Sequence, residues 1–120
     1  MVLGSTAREF EFREGVHEDD NTVWREEVVI PEDLRYLEGH FPGAPIVPGV
    51  AQVVALAEER ARHAWPELGA CTGIRRLKFT AALKPKEVLR LHLERKPDKV
   101  VFRLWRGDVD CSRGSLIFSE

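Results

Sequence analysis

Cysteine is scarce in this 120-residue chain: Cys71 and Cys111 stand forty positions apart and outside any C-x-x-C arrangement. Neither a disulfide framework nor a zinc site is expected, and two buried free thiols are the simpler reading. Long hydrophobic runs are also missing. The most apolar stretch, Ala44 to Ala57, is interrupted by Pro45, Pro48 and Gly49 and carries Gln52, so it is too short and too broken to span a bilayer. The opening residues, MVLGSTAREFEF, lack a basic segment followed by an apolar core and a small-residue cleavage site. No secretory signal is expected, and the location read from this is cytoplasmic. Neither sign of charge dominates: 18 basic residues face 20 acidic ones, a formal net charge of −2. That excludes a globally basic nucleic-acid binder while leaving room for a local basic patch. Repeats, low-complexity tracts and linkers are absent. A hydrophobic share of 43% beside 32% charged residues is that of one folded domain over residues 1–120.

What the chain does have is the stretch Gly39 to Gln52, GHFPGAPIVPGVAQ. It joins a titratable histidine, His40, to Pro-Gly turns and the start of an apolar helix. Three prolines and three glycines between Gly39 and Gly49 make a regular helix or strand improbable, and predict a shaped, extended loop. From Val50 to His63 or Ala64 the residues are strong helix formers with no proline or glycine. Val50, Val53, Val54, Ala57 and Ala61 form one stripe at helical spacing. Pro66 and Gly69 end it.

Around this helix the segments read as strands. Thr6 to Arg13 and Thr22 to Ile30 precede it; Ile74 to Thr80, Val88 to Glu94, Lys99 to Trp105 and Cys111 to Phe118 follow. Glu14 to Asn21 reads as a solvated turn carrying an exposed His17. Its acidic cluster Glu18, Asp19, Asp20 lacks the ligand spacing of a calcium loop, so no metal is expected. Pro31 to Leu37 reads as one or two helical turns. An antiparallel sheet must bury one face, and the one large apolar object available is the helix. The expected architecture is therefore α+β: a single hotdog domain, with an antiparallel sheet of about six strands wrapped around one long central helix.

Gly39-His40-Phe41-Pro42-Gly43, then Pro45, then Pro48-Gly49-Val50, resemble the signature of the β-hydroxyacyl-acyl carrier protein dehydratases of the FabZ and FabA type. Phe79 to Leu91 is similar to their following strand pair, with Lys86-Glu87 where Gly-Asp is common. Trp105 to Leu116, especially Cys111-Ser112-Arg113-Gly114, resembles the ApeI-like, aryl-polyene branch. This resemblance, over about residues 24 to 118, implies a hotdog dimer in fatty-acid or aryl-polyene synthesis. Its implied substrate is an acyl thioester on the phosphopantetheine of an acyl carrier protein, with no further cofactor. It implies that His40 exchanges a proton with substrate, and that Phe41, Pro42, Gly43, Pro48, Gly49, Val50 and Val54 line the substrate. Removing the proton α to a thioester needs a base and donors for the enolate oxygen. Unsatisfied N–H groups at the Gly49-Val50 helix start supply such donors.

The acid of that family lies fourteen positions after the histidine, and here the position holds Val54. Valine cannot protonate a departing hydroxyl. Glu58 is one helical turn further on, about 5.4 Å along the axis, and is the candidate replacement. The expected activity is dehydration of a 3-hydroxyacyl thioester to the trans-2-enoyl form. The alternatives are a non-catalytic acyl-thioester or carrier-protein binding subunit, paired with an active paralogue, and a hotdog thioesterase. Arg75, Arg76, Lys78, Lys84 and Lys86, with Arg90, form a local basic excess that suits an acidic carrier protein. The aromatic interleaving of single-strand nucleic-acid grooves is missing. Trp24, Trp65 and Trp105 read as packing or interface residues, His63 as a helix-end cation and His92 as solvent-facing. The open edge of a six-strand sheet predicts a dimer, homo- or heteromeric, in which His40 faces the partner's helix.

Overall fold

The computed structural model describes residues 9–32 and 49–119, with only the backbone of Val50. Six strands, β1 (Glu11–Glu18), β2 (Val23–Val29), β3 (Cys71–Phe79), β4 (Val88–Arg95), β5 (Lys99–Arg106) and β6 (Val109–Phe118), form one sheet. Its order is β1-β2-β4-β5-β6-β3, and every pair is antiparallel. β2 stands second in the sheet and β3 at the far edge, so the chain between them must cross a face. The central helix lies in that crossing segment, running as α-helix over Gly49–Ala51, π-helix over Gln52–Glu58 and α-helix over Glu59–Ala64.

Strand alternation decides which face the helix covers. Leu89, Leu91 and Leu93 of β4 and Val100, Phe102 and Leu104 of β5 are almost wholly buried. They belong to one core cluster with Leu56, Ala57 and Ala61 of the helix. Small alanines on the helix let its backbone approach the leucine layer. The intervening Arg90, His92, Arg103 and Trp105 fall on the outer face. Among the described residues no helix is long and apolar enough to cross a membrane.

Three local expectations are corrected. The first strand is Glu11–Glu18, not Thr6 to Arg13, and the turn shrinks to Asp19–Thr22. A bulge between Arg13 and Val16, with Glu14 at φ 55°, breaks the alternation that would have marked these polar residues as strand. His17 is consequently packed rather than exposed. Its Nε2 donates to the Ala64 carbonyl at 2.9 Å, and its ring lies 4.8 Å from Trp24. Val54, placed on the buried stripe by α-helical spacing, is 41% exposed while Gln52 is buried. The Glu59 N–H bonds Val54 O, five residues back, and this π register rotates the side chains away from their α-helical positions. Pro31 and Glu32 are the described part of the expected Pro31–Leu37 turns, and the rest lies outside the described residues.

One ion pair fastens the helix to the sheet. Arg60 donates from Nε and Nη2 to the two carboxylate oxygens of Glu26 on β2, both at 2.7 Å, and its guanidinium lies 3.8 Å over the Phe12 ring of β1. The Glu26 side chain is 1% exposed, so removing its partner's counter-charge is costly. Glu26→Gln is expected to lower stability by ~3 kcal/mol, whereas Glu26→Leu with Arg60→Met loses clearly less. Urea unfolding of the two variants checks this.

Candidate active site at the helix start

Edge strand β3 alternates inward Ile74, Leu77 and Phe79 with outward Arg75 and Lys78; the register shift between Arg75 and Lys78 accommodates Arg76 at φ 55°. Phe79 rests against the start of the helix: a Cβ built on Gly49 would stand 2.9 Å from Phe79 Cε2. Glycine at 49 therefore allows the close approach of helix and edge strand. Ile74, Leu77, Phe79 and Val54 are all large apolar residues left at least 40% exposed. An uncovered apolar surface thus flanks the described start of the helix at Gly49, and the first-turn N–H groups of an α-helix have no intrahelical acceptor. Such a place suits an apolar chain whose polar oxygen needs donors. His40, Phe41, Pro42, Gly43 and Pro48 lie outside the described residues.

The Glu58 carboxylate is engaged elsewhere, and Glu59 is exposed in the C-terminal half of the helix. Glu58 accepts from Arg62 at 2.6 Å, and the same guanidinium donates to the Gly69 carbonyl at 3.1 Å and stands 5.4 Å over Phe118. That holds the Glu58 head toward the helix C-terminal half, away from Gly49. Glu26 is locked by Arg60, as above. Val54 provides no proton, so among the described helix residues none presents a free carboxylate at the helix start.

The expected basic group is dispersed. Arg75, Arg76 and Lys78 lie on β3, while Lys84 and Lys86 belong to the crossover that follows it. That crossover tracks the ends of β6, β5 and β2, through Thr80 N–H to Cys111 O, Arg106 to Ala82 O and Lys86 N–H to Ile30 O. Lys86 therefore ends beside β2, 3.7 Å from Glu32. Arg90 lies on the outer face, opposite Glu27 and Trp105.

Sequence reasoning missed a groove of about 510 Å³ on that outer face, lined by Val16, Arg25, Glu27, Arg90, His92 and Trp105 among others. It lies on the opposite face of the sheet from the central helix. His92 is half-buried there, its ring 5.9 Å from Trp105.

The sheet wrapped on a central helix defines a hotdog protein. It superposes on the dehydratase heterocomplex ApeI:P of Xenorhabdus doucetiae with TM-score 0.84, at 21% identity, over 94% of this chain and 100% of that one. The family model for the ApeI-like dehydratases matches residues 16–115, and the chain belongs to that family. A 3-hydroxyacyl-acyl-carrier-protein dehydratase FabZ of Alkaliphilus metalliredigens is 42% identical over 65 residues, 49% of this chain and 44% of that protein. The FabZ of Natranaerobius thermophilus is 30% identical over 95 residues, 70% of this chain and 67% of that protein. The chain thus spans less than half the length of the first of these relatives.

Burial holds the His92 pKa below its ordinary 6.5, with Arg25 and Arg103 acting the same way and Glu94 and Glu18 opposing. The unfolded chain therefore takes up this proton at a higher pH than the folded one. Stability present above pH 6.5 is lost as the pH falls through that value. Chemical unfolding at pH 7.5 and 5.5 is expected to show a smaller difference in His92→Gln than in the wild type.

Proposed function

We propose that the chain is a dehydratase-type acyl-thioester protein, acting on 3-hydroxyacyl groups carried on the phosphopantetheine of an acyl carrier protein. The observation that carries this reading is the helix start at Gly49 beside an uncovered apolar surface, in a chain of the ApeI-like family. His40 takes the proton from Cα; the Gly49 and Val50 backbone N–H groups hold the enolate oxygen; Phe41, Pro42, Gly43, Pro48 and Val54 line the acyl chain. The electron pair left at Cα then forms the Cα–Cβ double bond as the Cβ–O bond breaks, and the hydroxide leaves as water with a proton from an acid. The whole chain, residues 1–120, forms one hotdog domain, and its free thiols suit a reducing cytoplasm.

The acid is the weak point, and it favours a second reading. With Val54 in its place and Glu58 held by Arg62, the chain serves as the acyl-binding member of a heterodimer whose other hotdog subunit brings the carboxylate. The dehydratase heterocomplex of Xenorhabdus doucetiae is a precedent for such pairing. The open β3 edge, with its exposed Ile74, Leu77 and Phe79, is where a second hotdog chain would add its strand.

Hydration of crotonyl and longer enoyl pantetheine thioesters separates the readings. The wild-type chain alone is expected to be slow, Val54→Glu to gain roughly 10²–10⁴-fold, and His40→Ala in that background to lose the gain. Glu58→Gln is expected to change nothing. Inactivity of both the wild type and Val54→Glu would sink the dehydratase reading, and fast wild-type turnover abolished by Glu58→Gln would sink the heterodimer reading.

A further inference from the structure

β6 lays Ser112, Gly114 and Leu116 on the core face, directly opposite Leu104, Phe102 and Val100 of β5. Ser112 is 2% exposed, and its hydroxyl has no hydrogen-bond partner among the described residues. A buried hydroxyl left unpaired is unfavourable, and alanine in its place would remove the penalty without disturbing the packing. The backbone beside it is, by contrast, well tied. Cys111 O accepts from the N–H groups of Thr80 and Ala81 at 2.8 and 3.2 Å, and Asp110 O accepts from Thr80 Oγ1 at 2.7 Å. Those bonds hold the strand in place, so the hydroxyl does not gain a partner by a small shift of the backbone. Its surroundings point to where a partner would come from. Across from Leu104, Ser112 also stands directly opposite Phe79 of β3, and the Phe79 ring lies against Gly49. Neighbouring strands are about 4.8 Å apart, so the hydroxyl lies roughly one side-chain length from the helix start. The next inward position along β6, Gly114, is already covered: a Cβ there would stand 2.8 Å from Phe102 Cε2 and 3.2 Å from Leu77 Cδ1. That cover closes the inner face beyond Ser112.

We infer that the Ser112 hydroxyl binds the 3-hydroxyl of the acyl group and holds the oxygen that departs. The inference rests on the reading above, in which the thioester oxygen lies on the Gly49 and Val50 N–H groups. C3 of the acyl group is only two bonds from the thioester carbon, which suits the short step from the helix start to Ser112. A substituent far along the acyl chain would lie well beyond it. Phe79 is 44% exposed on an edge strand, and turning its ring toward solvent opens the approach. Ser112 keeps its own proton: it donates a hydrogen bond to the oxygen as the Cβ–O bond breaks, and the proton that makes the hydroxide into water comes from the acid. A resident water fits the place less well, since Leu104 and Phe79 on either side offer it no second polar partner.

The test is titration of the purified chain, followed by NMR, with two unreactive pantetheine amides, one bearing a butyryl and the other a 3-hydroxybutyryl group. The wild type is expected to bind the hydroxylated analogue roughly five- to tenfold more tightly, the contribution of one hydrogen bond to an otherwise unpaired buried group. Ser112→Ala is expected to bind the butyryl analogue as the wild type does and to lose the preference. Its urea midpoint is expected to be unchanged or raised, a result that a structural role for the hydroxyl would not give. Equal binding of the two analogues by the wild type, or a preference that persists in Ser112→Ala, would overturn the inference and leave the acyl-thioester reading standing. A clear fall in the Ser112→Ala midpoint would overturn it as well, by showing that the hydroxyl is bonded within the fold. Binding of neither analogue would remove the acyl-thioester reading and the inference with it.

Discussion

The bidentate contact of Arg60 with Glu26, out of water and capped by the Phe12 ring, fixes how the central helix lies on the sheet. The helix must cross from β2 to the far edge β3, and nonpolar packing on a leucine layer is tolerant of rotation and sliding. Two parallel hydrogen bonds between planar groups are not. With Arg60 anchored on β2, the C-terminal half of the helix is tied to the β1–β2 hairpin, where His17 and Trp65 add bonds to Ala64 O and Asn21 O. The N-terminal half then extends toward β3, and Gly49 meets Phe79.

The helix is irregular at the place where chemistry is proposed. Its π segment covers Gln52–Glu58, which includes both the position of the missing acid and its candidate replacement. Widening the helix there turns Val54 outward and leaves Glu58 within reach of Arg62, so the two residues that sequence spacing puts on one face have separate surroundings. A π segment interrupts the α-helical bonding ladder and has to be held by tertiary contacts. Val53, Ala55, Leu56 and Ala57, all buried within it, supply them.

Much of the fold was legible from residue order alone. The leucines of β4 alternate without a break, Pro97-Asp98 and Gly107-Asp108 mark the hairpins, and a proline- and glycine-free run of helix formers can have one meaning. What escaped has a common physical origin in departures from ideal period. A bulge at Glu14 displaced the bounds of β1, and a π register misplaced Val54. The dispersal of Lys84 and Lys86 from Arg75 and Lys78 follows from strand order, which sequence neighbours do not reveal. The helix-start site was named from its motif, and most of that motif lies outside the described residues.

The central proposal is that His40 and the helix-start N–H groups serve an acyl thioester as base and enolate donors, while no described residue of the helix supplies the acid at its start. Incubating the purified chain with a 3-hydroxybutyryl pantetheine thioester in heavy water tests it most directly, with Cα deuterium read by mass spectrometry. The account predicts deuterium at Cα with the hydroxyl retained, and none in His40→Ala. Absence of exchange in the wild type would contradict the base and donors, and rapid loss of water by the chain alone would contradict the missing acid.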